Sequence, residues 1–298
     1  MQTLKTANGH DVPMVGFGTF PLQGNQMTSM IIESLKVGFR LIDTADDYRG
    51  ETGIGGAIKN IKDLTGLDRK DIFIQTKISQ DNAHGDEPLE GIWFNNYSKY
   101  QKRHTVEEVV REKVSISLRE LQTDYIDSLL IHYPFPGFFE EIWEIMMKLQ
   151  KEGVVRYIGV SNFHISHMKV LASLGKMPDI NEIYVSPIGI KTEDFNFAEM
   201  HNVQLMTYSP LMDMAARRID TSALEPIAEK YGKTIAQVLL RWNIDRGSIP
   251  LPKTRNPKRL ADNFNVFDFC LTREEIELIN SLNYDNQMLV ESKQCPGL

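Results

Sequence analysis

The sequence predicts an α/β fold, a (β/α)8 barrel of the TIM type built as one domain over residues 1–298, and three observations predict it. Short β-rich runs recur eight times along the chain. Amphipathic helical segments alternate with them, and a strand–helix alternation builds a parallel sheet. The glycine fingerprint that an open doubly wound sheet requires after its first strand is missing: Gly16-Phe-Gly18 lacks the third glycine, and Gly53-Ile-Gly55 fails at the same place. A length of 298 residues suits one barrel with additions.

The elements follow in order. Asn8-Gly9, between short extended stretches in Leu4–Val15, signals a small N-terminal β-hairpin ahead of the barrel. The eight expected strands are Val15–Thr19, Arg40–Thr44, Ile72–Lys77, Tyr125–Ile131, Val155–Val160, Ile180–Val185, Gln204–Tyr208 and Ser248–Leu251. Apolar residues spaced three and four apart mark helices such as Thr28–Val37, Thr105–Leu121, Phe138–Glu152 and Thr221–Tyr231. Ile235–Arg246 and Thr272–Leu282 exceed what eight simple units need and are expected as two extra helices in the C-terminal half, packed outside the barrel. An irregular insert at Ser79–Arg103 carries Trp93, Phe94, Tyr97 and Tyr100. Long loops after barrel strands lie at the catalytic face, so it either covers the site or is a plain surface excursion.

Composition excludes several function classes. Hydrophobic residues at 42% and charged residues at 24% describe a folded globular chain. A net charge of -7 lacks the broad basic surface that binding nucleic acid requires. Two cysteines, Cys270 and Cys295, are too few for a disulfide framework and have no zinc-site spacing. No signal peptide and no run of 18 apolar residues is found, so the expectation is a cytoplasmic protein without a membrane partner, and nothing demands more than a monomer.

Four polar residues fall at or just beyond the C-terminal ends of expected strands, where barrel enzymes assemble their sites. Asp43 ends the second, Tyr48 follows it, Lys77 ends the third and His132 ends the fourth. Each has a plain structural reading, as helix cap, core ring, solvated charge or buried histidine, but their common placement favours chemistry. A phenol is a poor acid at neutral pH, and a nearby ammonium group lowers its pKa. Lys77 would supply that charge to Tyr48, Asp43 would hold the lysine, and His132 would orient a substrate oxygen by a hydrogen bond.

Asp43-Thr-Ala-x-x-Tyr48-x-x-Glu51, the strand-end Lys77, Leu130-Ile-His132-x-Pro134 and Gly159-Val-Ser161-Asn162-Phe163 together resemble the aldo-keto reductase family, from Gly16 to Phe269. The resemblance implies an NADPH-dependent reductase of aldehydes and ketones, with Tyr48 as general acid, Lys77 its activator, Asp43 the lysine's partner and His132 the orienter of the carbonyl. It implies NADPH (NADP+) as cofactor, bound at Gly18, Thr19, Asp43, Ser161, Asn162, Glu182, Tyr208, Ser209, Leu211, Lys253, Thr254, Arg255, Arg259, Asp262 and Asn263. Within that set Ser161 and Asn162 match the contacts to the nicotinamide carboxamide, and Tyr208 matches the ring stacked on the nicotinamide. Lys253, Thr254 and Arg259 match the positions that hold a 2′-phosphate, and Asp262 and Asn263 the adenine contacts. Phe20, Tyr48, His132 and Tyr133 would line the substrate pocket, and no metal is required.

The chain departs from the family's pattern in places. Glu182 stands where a glutamine normally contacts the carboxamide; an ionised carboxylate accepts but does not donate, and its charge would alter cofactor affinity or favour the oxidised form. Phe20 and Tyr133 replace common tryptophans, and Gly50 an asparagine. Two other readings stand beside the reductase: a nucleotide-binding regulatory subunit that senses pyridine nucleotide, and a barrel hydrolase using Asp46 or Asp47 with Glu51. His164 and His167, three apart, have no evident third metal ligand. Specificity is expected to rest on Ser79–Arg103 and on the tail Tyr284–Leu298.

Overall fold

The structure, a computed structural model, describes residues 3–5, 11–79 and 105–289. Apart from Ser79, the expected insert lies outside the described residues, as do the Asn8-Gly9 turn and the end of the tail. Strands β1 (Thr3–Lys5) and β2 (Asp11–Pro13) pair antiparallel, as expected for a hairpin. Eight parallel strands then follow in sequence order: β3 (Gly16–Gly18), β4 (Leu41–Asp43), β5 (Phe73–Ile78), β6 (Ile126–Ile131), β7 (Val155–Ser161), β8 (Ile180–Tyr184), β9 (Gln204–Tyr208) and β10 (Ile249–Leu251). The barrel closes where Gly18 N–H donates to Pro252 O at 3.1 Å. Glycine is needed at that seam, because a Cβ on residue 18 would lie 2.8 Å from the Leu251 carbonyl oxygen.

Strand alternation sorts the two faces. Successive side chains point to opposite sides, so Ile42, Ile74, Leu129, Ile131, Ile158 and Val160 face the surrounding helices and pack with them. The other face points into the barrel. There Leu41, Phe73, Leu130, Tyr157, Ile180, Met206, Ile249 and Leu251 form a dry interior, sealed below by Val12 of the hairpin. One pleat nearer the C-terminal ends of β4, β5 and β8, the same face becomes polar: Asp43, Gln75, Lys77 and Glu182 are all buried, with buried Ser128 of β6 in register beside Gln75. The apolar floor is what keeps these polar groups at one end.

Helix ends follow local chemistry. Thr105 caps the helix Val106–Leu121, its Oγ1 accepting from Glu108 N at 3.2 Å while Glu108 Oε2 accepts from Thr105 N at 2.7 Å. The helix Phe139–Lys151 is left through Gly153, whose φ of 80° favours glycine. The two extra C-terminal-half helices are present, but one differs from expectation. Ile235–Asp245 lies against β10 and is buried over nearly all its length, so it belongs to the barrel's own ring. The outer pair is Glu225–Tyr231 and Arg273–Asn280, joined by a Lys230–Glu275 ion pair at 2.7 Å. Trp242 Nε1 donates to Asn280 Oδ1 at 2.9 Å, which ties the second of them to the ring helix. The apolar pattern of Ile235–Arg246 reflects cover on both sides and could not by itself say which helix lies outside.

Candidate active site

The polar end of the barrel is organised around one lysine. Lys77, at 1% exposure, points from β5 into the barrel, and its Nζ lies 2.5 Å from Asp43 Oδ1 on β4 and 3.2 Å from Glu182 Oε2 on β8. It also donates to Thr44 O at 3.1 Å. Gln75, two residues back on the same face, donates from Nε2 to both carboxylates, at 3.0 Å to Asp43 and 2.7 Å to Glu182. Ser128 Oγ donates to Gln75 Oε1 at 3.1 Å, which fixes the amide's orientation. Two buried carboxylates thus share one ammonium and one amide. Burial, and then Asp43, pushes the Glu182 carboxyl up to about 8 against the opposing pull of Lys77.

Tyr48 closes a 3-10 turn, Asp46–Tyr48, that follows β4, and Lys77 Nζ lies 5.3 Å from its ring centroid. The phenol is not lowered as the sequence suggested. It lies well above its ordinary value, raised first by burial and then by Asp43, Glu182, Asp47 and Tyr208. The physical reason is first that burial disfavours the charged phenolate, and then that the Asp43 and Glu182 carboxylates offset the pull of Lys77.

His132 follows β6 and is buried, with its ring 5.7 Å from that of Tyr48 at an interplanar angle of 71°. Its Nδ1 lies 2.7 Å from Ser79 Oγ and 3.6 Å from Asp47 Oδ1. Burial, reinforced by Lys77, pushes its pKa down to about 3, so the ring is neutral at neutral pH. Tyr133 stacks on it at 4.6 Å, and Phe20, 59% exposed, lies 5.0 Å from Tyr48. Phe20, Tyr48, His132 and Tyr133 therefore form one aromatic cluster at the mouth of the barrel.

Beside this cluster lie the residues matched to a nicotinamide site. Ser161 Oγ donates to Glu182 O at 3.0 Å, and Asn162, in the left-handed region at φ 64°, donates from Nδ2 to Ser161 Oγ and to His132 O, both at 3.1 Å. Tyr208 OH donates to Asn162 Oδ1 at 2.7 Å. Ser209, also left-handed at φ 53°, and Leu211 continue from β9. Gly18 and Thr19 sit at the seam, with Thr19 Oγ1 donating to Asp43 O at 2.8 Å. Asn162 and Tyr208 also line a cavity of about 260 Å³ that reaches Lys191, Asp194 and residues 285–289, so the described part of the tail does border the site.

A third group lies beyond β10. Lys253, Arg255, Lys258 and Arg259 are exposed around the start of the helix Pro257–Phe264, whose first turn contains no acidic residue. Among the described residues no carboxylate forms an ion pair with them. Four cations at a helix N-terminus suit a phosphate, since their charge and the helix dipole both favour an anion there. Thr254 and Asn263 are buried next to them, with Asp262 partly buried. The donor set fits a phosphorylated dinucleotide: amide and hydroxyl groups at the barrel mouth, and cations at the far end.

The remaining candidates have structural work. Asp46 pairs with Lys113 at 2.8 Å and accepts from Ser79 N at 3.0 Å, while Glu51 accepts from Thr76 Oγ1 at 2.7 Å and Ser117 Oγ at 2.9 Å. Those bonds commit both carboxylates away from hydrolytic chemistry. His167 Nδ1 accepts from His164 N at 3.3 Å, a helix-capping arrangement. Sequence reasoning missed Gln75 and Ser79. Gln75 was findable, because it precedes Lys77 by two and so shares its face of the strand; Ser79 carried no such signal.

A profile of the aldo/keto reductase family matches residues 14–284. The chain is 33% identical to methylglyoxal reductase DkgA of Escherichia coli K12 over 99% of its own length and 98% of that protein's. It is 32% identical to glyoxal reductase of Bacillus subtilis over 96% and 94%. Among solved structures, the Bombyx mori aldo-keto reductase AKR2E4 in complex with NADP superposes with a TM-score of 0.84 at 29% identity, covering 99% of this chain and 97% of that one. Sequence match, barrel and site geometry agree: the chain belongs to the aldo/keto reductase family.

Proposed function

We propose that this protein is an NADP(H)-dependent reductase of small aldehydes and ketones, with Tyr48 as the general acid. The observation that carries this reading is the convergence of Tyr48, Lys77, Asp43 and His132 from three strand ends onto one mouth beside Asn162 and Tyr208. The related methylglyoxal and glyoxal reductases make 2-oxoaldehydes the first substrate class to test.

Reduced nicotinamide supplies the hydride when bound; the protein's own groups handle position and the proton. Ser161, Asn162 and Tyr208 would hold the nicotinamide end, with Glu182 supporting Ser161 and Asn162 from below through its backbone carbonyl, and Lys253, Thr254, Arg255 and Arg259 the 2′-phosphate, with Asp262 and Asn263 toward the adenine. Tyr48 is a phenol at neutral pH, so a proton is available to the oxygen of a carbonyl as it gains negative charge. Neutral His132 donates a hydrogen bond to the same oxygen from Nε2 when Ser79 satisfies Nδ1. Lys77 lies close enough to stabilise the phenolate that forms once the proton has left. Phe20 and Tyr133 exclude water from the reacting carbonyl.

The test is loss of 340 nm absorbance from NADPH with methylglyoxal, glyoxal and a panel of simple aldehydes and ketones. Wild type should turn over, and Tyr48→Phe should lose roughly a hundredfold or more in kcat with NADPH binding retained. Full activity in Tyr48→Phe would remove Tyr48 from the acid role.

A further inference from the structure

The Lys77 hub holds one more carboxylate than a single lysine neutralises. Asp43 and Glu182 approach the same Nζ at 2.5 and 3.2 Å and the same Gln75 amide at 3.0 and 2.7 Å. With both carboxyls ionised the cluster carries one net negative charge, and with one proton bound it is neutral. Glu182 therefore does not serve as a free acceptor for a carboxamide; its side chain is committed to the hub. Its backbone carbonyl accepts from Ser161 Oγ and from Asn162 N at 2.9 Å, so the cluster lies directly beneath the residues assigned to the nicotinamide.

We propose that Glu182, by sharing Lys77 and Gln75 with Asp43, makes the site's preference for oxidised over reduced nicotinamide depend on pH, giving up a proton to solvent when the positively charged ring binds. This rests on the NADP(H) reading above. The oxidised ring is a cation and the reduced ring is neutral, so the negative cluster favours the former and the neutral cluster does not. The sign follows: the ratio Kd(NADP+)/Kd(NADPH) falls as pH rises. The 2′-phosphate and its cations meet both forms alike and cancel in the ratio.

The other groups facing Glu182 titrate elsewhere or are tested by the variant. Lys77 on β5 is raised, and Tyr48 on the turn after β4 is raised well above 10. His132 after β6 is pushed down to about 3. Asp47, on the turn, is also raised by burial, and Asp43 on β4 faces Glu182 across the Lys77 ammonium and the Gln75 amide. Tyr208 on β9 completes the surround. Glu182 itself, near 8, is the group whose proton uptake falls in the middle of the accessible range.

Equilibrium dissociation constants for NADP+ and NADPH, read by quenching of the three tryptophans between pH 6 and pH 9, test this without turnover. In wild type the ratio Kd(NADP+)/Kd(NADPH) should fall about tenfold over that range, within the usual span of coupling between linked sites. In Glu182→Gln it should stay flat at the value wild type shows at pH 6. Calorimetry of NADP+ binding to wild type at pH 7 in buffers of different ionisation heat should register proton release. A flat wild-type ratio, or a wild-type slope retained in Glu182→Gln, overturns the proposal while leaving the reductase reading intact. If neither nucleotide binds, the cofactor reading falls and this inference falls with it.

Discussion

Ser79 Oγ lies 2.7 Å from Nδ1 of His132, the closest polar contact that histidine's ring makes among the described residues. Since burial keeps the imidazole neutral, only one ring nitrogen carries hydrogen, and the Ser79 hydroxyl can meet Nδ1 as donor or as acceptor. A hydroxyl donating to Nδ1 leaves the proton on Nε2, the nitrogen available to a substrate oxygen. Ser79→Ala should therefore lower kcat roughly tenfold, the worth of one hydrogen bond, with little change in KM. Unchanged kcat in a steady-state aldehyde-reduction assay would remove Ser79 from this role.

Lys77 and its two carboxylates differ in how much each loss should cost. Lys77→Met leaves Asp43 and Glu182 buried without their cation and should destabilise the fold by about 3–5 kcal/mol. Asp43→Asn leaves Lys77 paired with Glu182 and should cost less. Urea denaturation of the two variants at pH 8 gives the order, and an equal loss would mean Glu182 does not support the lysine.

Two buried groups give the stability profile opposite slopes. His132 has a folded pKa of about 3, below the ordinary 6.5, so between those values the unfolded chain binds the extra proton and stability is lost as pH falls. Glu182 has a folded value of about 8, above the ordinary 4.5, so the folded chain binds the extra proton and stability is lost as pH rises from about 4.5 to 8. Relative to wild type, Glu182→Gln should thus be more stable at pH 9 than at pH 6, and His132→Asn should flatten the loss below pH 6. Denaturation midpoints across pH 4–9 check both signs.

The cationic stretch predicts cofactor choice. Lys253→Ala or Arg259→Ala should raise KM for NADPH about ten- to a hundredfold, since a charge-assisted bond to phosphate is worth about 1.5–3 kcal/mol. KM for NADH, which lacks the 2′-phosphate, should barely move. Equal loss for both cofactors would assign these cations to a phosphate the two dinucleotides share.

The sequence by itself determined the alternation, the strand positions and the strand-end placement of Asp43, Lys77 and His132, because period-two patterns and hydrophobic spacing are local properties of the chain. The family's ordered motifs, read off the same positions, pointed to the cofactor groups. Tertiary structure decided the rest. That Ile235–Asp245 belongs to the ring and Glu225–Tyr231 lies outside depends on which surfaces meet, and both helices present apolar faces. That Glu182 turns onto Lys77, and that Ser79 meets His132, are contacts between segments separated by 105 and 53 positions in the chain. Tyr48's acidity shows the same limit. The strand-end Lys77 argues for a lowered pKa, but the burial of a group and the sum of charges around it are set by every strand that ends there, and burial, followed by two carboxylates from β4 and β8, reverses the sign.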